Sequence, residues 1–254
     1  MSRSDLSIRG TQPWSLRPLP RSGEAELMDQ PNLDRTELAE NLRDIRRVNR
    51  LLGGTTVVLR HLTRIIDYSP AIVPTTLLDL ATGSADIPVA ISRWAKRRGL
   101  AMTITASDSS EQMLELAREQ IAGHPKITLA RYDARAVPLP DKSVDIVLCS
   151  LSLHHFAPKD AVLVLREMDR LARKGFIVND LRREWLGYIA ARIAAQLTTR
   201  NRLTRNDAPL SIRRAYTPSE LEALLHDAGV TGAAISTHLW FRMAAVKTGA
   251  VNDA

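Results

Sequence analysis

The chain has 254 residues, 44% hydrophobic and 25% charged, a balance that excludes a disordered, collagenous or disulfide-framework protein. A single cysteine, Cys149, rules out an intramolecular disulfide, and no Cys/His spacing fits a zinc motif, so no metal is expected. The net charge of +7 is unevenly spread, with six arginines from Arg43 to Arg64 and eight from Arg182 to Arg214. Such blocks either coat solvated helix faces or attract an anionic partner.

Residues 1–27 read as a tail, with Pro13, Pro18 and Pro20, scattered Ser and Arg, and no amphipathic period. They lack the apolar core of a secretory signal, and Asp5, Glu24 and Glu26 argue against an organelle transit peptide. Met28 reads as the native start, residues 1–27 are expected to be dispensable, and disorder is expected to run to residue 33. Leu38, Leu42, Ile45, Val48 and Leu52 follow helical spacing until Gly53-Gly54. A second helix from Thr55 buries Val58, Leu59, Leu62 and Ile65 and ends near Pro70, giving a helical cap over 34–70.

From Thr76 strands and helices alternate. The predicted strands are Thr76–Leu80, Met102–Ala106, Ile127–Arg131, Val144–Cys149 and Phe176–Val178. The intervening helices are Ile87–Arg98, a helix opened by a Ser109/Gln112 capping box and running to Ile121, and Asp160–Arg173. Trp185, Ile189, Ile193 and Leu197 give a helix over 184–198, followed by an Arg-rich polar stretch up to Tyr216. Thr217, Pro218 and Glu220 start another helix, closed by Gly229, and two strands follow, Ala233–His238 and Phe241–Lys247. The fold class expected is α/β: a Rossmann-like doubly wound sheet of five parallel strands, a C-terminal antiparallel pair and an N-terminal helical cap. No run of ~18 apolar residues exists, so no membrane span is expected and the chain reads as cytoplasmic.

The chemistry concentrates where the strands end. Asp79-Leu80-Ala81-Thr82-Gly83-Ser84-Ala85-Asp86 passes from a strand through small residues into a helix, which lets backbone approach a ligand closely. It is not G-x-G-x-x-G, since Gly83 is its one glycine, and the carboxylates of Asp79 and Asp86 would repel a pyrophosphate. They would attract a ligand carrying an ammonium or sulfonium. Asp108 ends the second strand, 108 − 79 = 29 residues past the first carboxylate, where an acid can accept hydrogen bonds from ribose hydroxyls. Asp133 and Ala134 follow the third strand, offering an acceptor and a backbone N–H to an adenine edge. An ordinary capping Asp explains one or two of these positions more easily than all three.

These residues resemble the motifs of class I S-adenosyl-L-methionine (SAM)-dependent methyltransferases, over a match from about Leu77 to Phe156 and more loosely beyond. Asp79–Asp86 is similar to the acidic first motif, Asp108–Leu114 to the ribose motif, Asp133-Ala134…Leu139-Pro140 to the adenine motif, and Val144–Ser150…His154-His155-Phe156 to the fourth motif. The nearest likeness is to the ubiquinone/menaquinone C-methyltransferases, in which Ala81 and an Asn49-containing segment are familiar. Ala85 in place of glycine, the missing Pro-Gly before the fifth strand, and His154-His155 where Arg-Asn is usual depart from that group. The resemblance implies a methyltransferase domain over 71–248, with SAM held by Asp79, Ala81, Gly83, Ser84, Asp86, Asp108, Ser109, Met113, Asp133, Ala134 and Ser150.

It further implies a small-molecule acceptor, aromatic, polyketide or quinone-type, methylated on oxygen or carbon. His154 and His155 follow the fourth strand, where either could act as base or orient an acceptor oxygen, or simply cap the next helix. Acceptor pockets in this family are built from the N-terminal helices and the segment after the fifth strand. That makes Asn49, Arg182, Arg183, Arg213, Arg214 and Tyr216 substrate candidates, the arginines as anchors for an anionic group. A nucleic-acid (RNA) methyltransferase is the main alternative, on the basic excess. No Asn/Asp-Pro-Pro-Tyr/Phe tetrapeptide follows the fourth strand and aromatics are only 4%, too few for a base-stacking surface, so no nucleic-acid partner is expected. A non-catalytic SAM-fold binding protein is the third reading, opposed by the intact Asp79, Asp108 and Asp133 set.

Overall fold

The computed structural model describes residues 19–66 and 73–249. Helices α1 (Arg35–Leu51) and α2 (Gly54–Ile65) lead into β1 (Thr75–Leu80), α3 (Asp86–Arg97), β2 (Met102–Asp108), α4 (Glu111–Gln120), β3 (Ile127–Arg131) and β4 (Val144–Ser150). Then follow α5 (Pro158–Leu171), β5 (Ala172–Leu181), α6 (Trp185–Thr198), α7 (Arg202–Arg214), α8 (Pro218–Asp227), β6 (Ala233–His238) and β7 (Arg242–Thr248). The strands form one sheet in the order β3-β2-β1-β4-β5-β7-β6. β1 to β5 are parallel, and β7 runs antiparallel between β5 and β6.

Successive residues of the apolar central strands face opposite sides, as strand geometry requires. Leu78, Leu80, Val147, Cys149 and Val178 pack on one side with Val164, Leu165 and Met168 of α5 and Leu221 of α8. Leu77, Ile146, Leu148 and Ile177 pack on the other with Val58 and Leu62 of α2 and Ile91 and Trp94 of α3. The order reverses direction at β1, between β2 and β4, and ligands of open α/β sheets bind in the crevice outside the carboxyl ends at such a point.

Several expectations are corrected. The capping residue of α4 is Ser110, whose side chain accepts from the Met113 N–H; Ser109 does not cap it, and the Gln112 amide reaches back to Leu33 O. β5 is ten residues long because its charged start is paired, Arg173 and Lys174 lying 3.2 and 3.9 Å from Asp145. Gly175 permits this length: a Cβ there would stand 2.1 Å from the Lys247 carbonyl oxygen of β7. The Arg-rich stretch before Tyr216 is helix α7, capped by Asn201, whose side chain accepts from Thr204 N–H. The apolar stripe of α6 forms a helix as expected but leaves Ile189, Ile193 and Leu197 exposed.

The largest correction concerns the N-terminal segment. Residues 1–18 lie outside the described residues, but 19–33 are not a free tail. Leu19, Ser22 and Glu26 are buried. The backbone N–H groups of Leu27 and Met28 donate to the two carboxylate oxygens of Asp207 on α7, at 2.8 and 2.9 Å. Arg21 lies 4.3 Å over the Tyr216 ring and donates to the carbonyls of Arg214 and Phe156. These bonds are made by backbone and by polar side chains, so no hydrophobic period announces them. A chain beginning at Asp34 is expected to lose thermal stability. Stripping both amides from buried Asp207 costs roughly 2–3 kcal/mol, or about 5–10 °C in Tm for a chain of this size. Differential scanning calorimetry checks this, and an unchanged Tm would mean the segment is only laid on the surface.

Candidate active site

The loop after β1 carries three residues in the left-handed region, Ala81 (φ 51°), Gly83 (φ 55°) and Ala85 (φ 58°). Alanine is strained there, by ~1–3 kcal/mol at such positions, and survives only where neighbours dictate the path. Here they do. Ser152 Oγ donates to Ala81 O at 2.8 Å, Thr82 N–H to Ser107 O at 2.9 Å, and Gly83 N–H to Asp108 Oδ2 at 2.9 Å. Asp108 Oδ1 accepts from Ser110 N–H at 3.0 Å, which leaves lone pairs on both oxygens for further donors.

Three carboxylates surround this loop. Asp79, 2% exposed, accepts from Thr82 Oγ1 through Oδ2 at 2.6 Å, while its Oδ1 has no partner. Burial pushes the Asp79 carboxyl up to about 8, and the charges of Asp86 and Asp108 add to the effect. Burial also pushes Asp86 and Asp108 above the usual carboxylate range. A buried, unpartnered carboxylate oxygen among like charges is a receptor for a cationic group.

Helix α1 closes over the loop. Arg46 Nη1 donates to Ser84 Oγ at 3.2 Å, and Asn49 Nδ2 to Asp86 Oδ2 at 3.0 Å. Asn49 Oδ1 also accepts from the buried Arg242 of β7. Asn49 is thereby engaged at the loop, on the cofactor side of the expected division. Met113 packs with Leu38 and Leu42 of α1. Asp133 is clasped by Arg135, whose Nε and Nη2 donate to its carboxylate oxygens and hold the carboxyl below its usual range, and Ala134 beside it is buried. Ser109 O accepts from Arg131 Nε, and Ser150 Oγ from Asn179 Nδ2 at 2.9 Å.

The second half of the site lies beyond β4. His154, 3% exposed, donates from Nδ1 to Asp180 Oδ1 at 2.6 Å, and its backbone N–H donates to Asp180 Oδ2 at 2.9 Å. His155 donates from Nδ1 to Asp29 Oδ2 at 2.9 Å. A carboxylate only accepts, so these bonds place the Nδ1 protons and leave each Nε2 facing elsewhere. Both face Glu26, with Nε2 of His154 3.5 Å from Oε1 and Nε2 of His155 3.8 Å from Oε2.

The arginine candidates divide. Arg214 is buried and donates to the carbonyls of His154, His155 and Glu24, so it fixes the histidine backbone and is not a free anion anchor. Arg183 donates to Ala215 O and pairs with Glu220 at 2.5 Å, tying the end of β5 to α8. Arg182 pairs with Glu184 at 2.6 Å. The Arg213 carbonyl accepts from Ser22 N–H at 3.0 Å. Tyr216 donates its hydroxyl to Phe156 O at 2.8 Å, beneath Arg21. The expected row of substrate-binding arginines is thus mostly spent on internal bonds. Sequence reasoning missed Asp180, Glu26 and Asp29. Asp180 lies near the carboxyl end of β5 and follows the strand-end rule that found Asp79 and Asp108; Glu26 and Asp29 carried no pattern.

The sheet order and the crevice at β1 define the class I SAM-dependent methyltransferase fold. Residues 77–175 match the family model described as a methyltransferase domain. Among curated proteins, the demethylmenaquinone methyltransferase of Thermotoga maritima is 34% identical over 116 residues, 45% of this chain and 47% of that protein. The chain matches less than half the length of such curated relatives. Among solved structures, a SAM-dependent methyltransferase from Aquifex aeolicus superposes with a TM-score of 0.56 at 19% identity, covering 85% of this chain and 98% of that one. The CurJ carbon methyltransferase gives 0.63 at 12% identity, covering 86% and 61%. The chain resembles the class I SAM-dependent methyltransferases, and within them the quinone methyltransferase group.

Proposed function

We propose that the protein is a SAM-dependent methyltransferase acting on a small oxygen-bearing acceptor, aromatic, polyketide or quinone-type. The observation that carries this reading is the unpartnered Asp79 Oδ1, buried at the end of β1 beside the carboxylates of Asp86 and Asp108. The residues present fit SAM, which is the cofactor. Asp79 takes its ammonium, Asp108 its ribose hydroxyls, and Arg46 on α1 is the cation at the loop for its carboxylate. When bound, SAM supplies a methyl group on a sulfonium, which passes to the acceptor by direct displacement. The chain's task is to hold the acceptor in line and exclude water, which can supply most of the rate.

His154 and His155 mark the acceptor side. Asp180 fixes the His154 ring through Nδ1, which makes Nε2, on the side of Glu26, the ring nitrogen left to act on the acceptor's proton or oxygen. Arg214 and Arg21 lock the backbone carbonyls from His154 to Phe156, so the two rings are set by contacts from three parts of the chain.

Calorimetry with SAM tests the reading. Asp108→Ala removes a charge-assisted acceptor worth ~1.5–3 kcal/mol, so affinity for SAM is expected to fall at least ~10-fold. Unchanged affinity would remove Asp108 from the cofactor site, and no binding by the parent chain would overturn the proposal.

A further inference from the structure

Glu26, His154 and His155 form an unusual cluster. Glu26 is 1% exposed, yet its Oε1 has no hydrogen-bond partner. Three ligand atoms, one from each residue, all lie within 4.8 Å of one another. The separations of 3.5 and 3.8 Å from the two Nε2 atoms to the Glu26 oxygens are long for hydrogen bonds. They are close to the ~3–3.5 Å between two donors sharing one metal ion at bond lengths of ~2.0–2.2 Å.

The surroundings match as well. Metal-bound histidines commonly donate their other ring N–H to a carboxylate, which fixes the tautomer and aims the free nitrogen. Both histidines do so here, His154 to Asp180 and His155 to Asp29. Glu26, Asp29 and Asp180 set three carboxylates around the two rings, and the guanidinium groups nearby are Arg214, whose Nε is 3.7 Å from Glu26 Oε1, and Arg21, which donates to the His154 carbonyl. Arg214 spends its donors on backbone carbonyls, so Oε1 stays unsatisfied.

We infer that Glu26, His154 and His155 bind a divalent first-row transition-metal ion, with Asp29 and Asp180 orienting the two rings. Two imidazoles and one carboxylate suit Zn²⁺, Co²⁺, Fe²⁺ or Mn²⁺ better than Mg²⁺, which prefers an all-oxygen shell. Three protein ligands leave a coordination position for an acceptor oxygen, and coordination makes a hydroxyl more acidic. The inference rests on reading this pocket as the acceptor side. It makes the metal, in place of a bare histidine, the group that activates a phenolic or enolic oxygen.

The test is metal binding by the full chain, stripped with EDTA and titrated with Zn²⁺ against a chromophoric chelator, then with Co²⁺ by visible absorption. One equivalent is expected to bind. Affinity should fall at least ~100-fold in Glu26→Gln and His155→Gln, and ~10–100-fold in Asp29→Asn, which removes only an orienting carboxylate. Asp29→Asn serves if either ligand variant fails to fold, as judged by circular dichroism. His61 and His238 also meet, with their Nε2 atoms 3.1 Å apart, so His61→Gln is the control and should keep the equivalent. Loss of the metal in His61→Gln with retention in Glu26→Gln, or no stoichiometric site in the parent chain, would overturn the inference. SAM affinity is measured on the same samples. Metal without SAM would remove the methyltransferase reading and leave the metal site standing, and SAM without metal would do the reverse.

Discussion

His154→Ala is expected to lower kcat for methyl transfer by ~10²–10⁴, the range for a residue that activates the reacting group, while SAM affinity changes little. On the proposed reading the ring lies on the acceptor side, and its orientation comes from a 2.6 Å bond to Asp180. The proposed cofactor contacts lie elsewhere, on Asp79 and Asp108, which is why binding and turnover should separate. Removing the ring also leaves Asp180 with one partner fewer in a buried site, so His154→Gln belongs beside it to retain a polar side chain there. Transfer of labelled methyl from SAM to a phenolic or quinol acceptor measures kcat, and calorimetry measures the cofactor. Equal losses of turnover and of SAM affinity would assign His154 to the scaffold.

Asp79→Asn is expected to weaken SAM at least ~10-fold, since it deletes the charge that faces the ammonium, and at the same time to raise the Tm of the ligand-free protein at pH 8. Both follow from one fact: burial pushes the Asp79 carboxyl up to about 8. An unfolded chain ionises the same group near its ordinary 3.8, so folding stability falls as pH climbs from about 4 to about 8. The neutral amide escapes that loss. For the parent protein the ammonium of bound SAM draws the carboxyl back down. Binding then releases a proton below pH 8, and SAM affinity should rise with pH and level off above it. Calorimetry in buffers of different ionisation enthalpy reads that proton directly. A pH-independent affinity between 6 and 8 would mean that Asp79 is already ionised without the cofactor.

The strand and helix pattern from Thr75 to Leu171 was legible in the sequence because burial there follows simple periods. β4 is apolar from Ile146 to Cys149 since both its faces are covered there, and Asp79 and Asp108 stand at strand ends where polar residues interrupt apolar runs. α7 was not legible for the opposite reason. Its inward stripe, Leu203, Asp207, Leu210 and Arg214, has helical spacing but includes an acid and a base, and Pro209 lies within it. Those charges are inside because Asp207 receives two backbone amides and Arg214 three carbonyls, partners that only the folded chain supplies. The position of β7 between β5 and β6 had no local signal either, since both strands of the pair carry similar alternation. Segment 19–33 is the extreme case: it is fixed on α7 through the backbone N–H groups of Leu27 and Met28, donors that every residue type but proline possesses.

The two halves of the site differ in how far apart their parts lie along the chain. Gly83 and Asp108, which shape the cofactor crevice, are 25 residues apart. The surroundings of His154 and His155, the proposed acceptor side, are complete only when Leu27 meets Asp207 and Arg21 meets Arg214, separations of 180 and 193 residues. Bringing distant segments together is slow, and a chain leaving the ribosome acquires its N-terminal elements first. The crevice around β1 and β2 can form while the rest of the protein is still being made. Residues 19–33 find part of their partners on α4 and beyond β4, but the bonds of Leu27, Met28 and Arg21 wait until Asp207 and Arg214 of α7 emerge, so the surroundings of His154 are completed late.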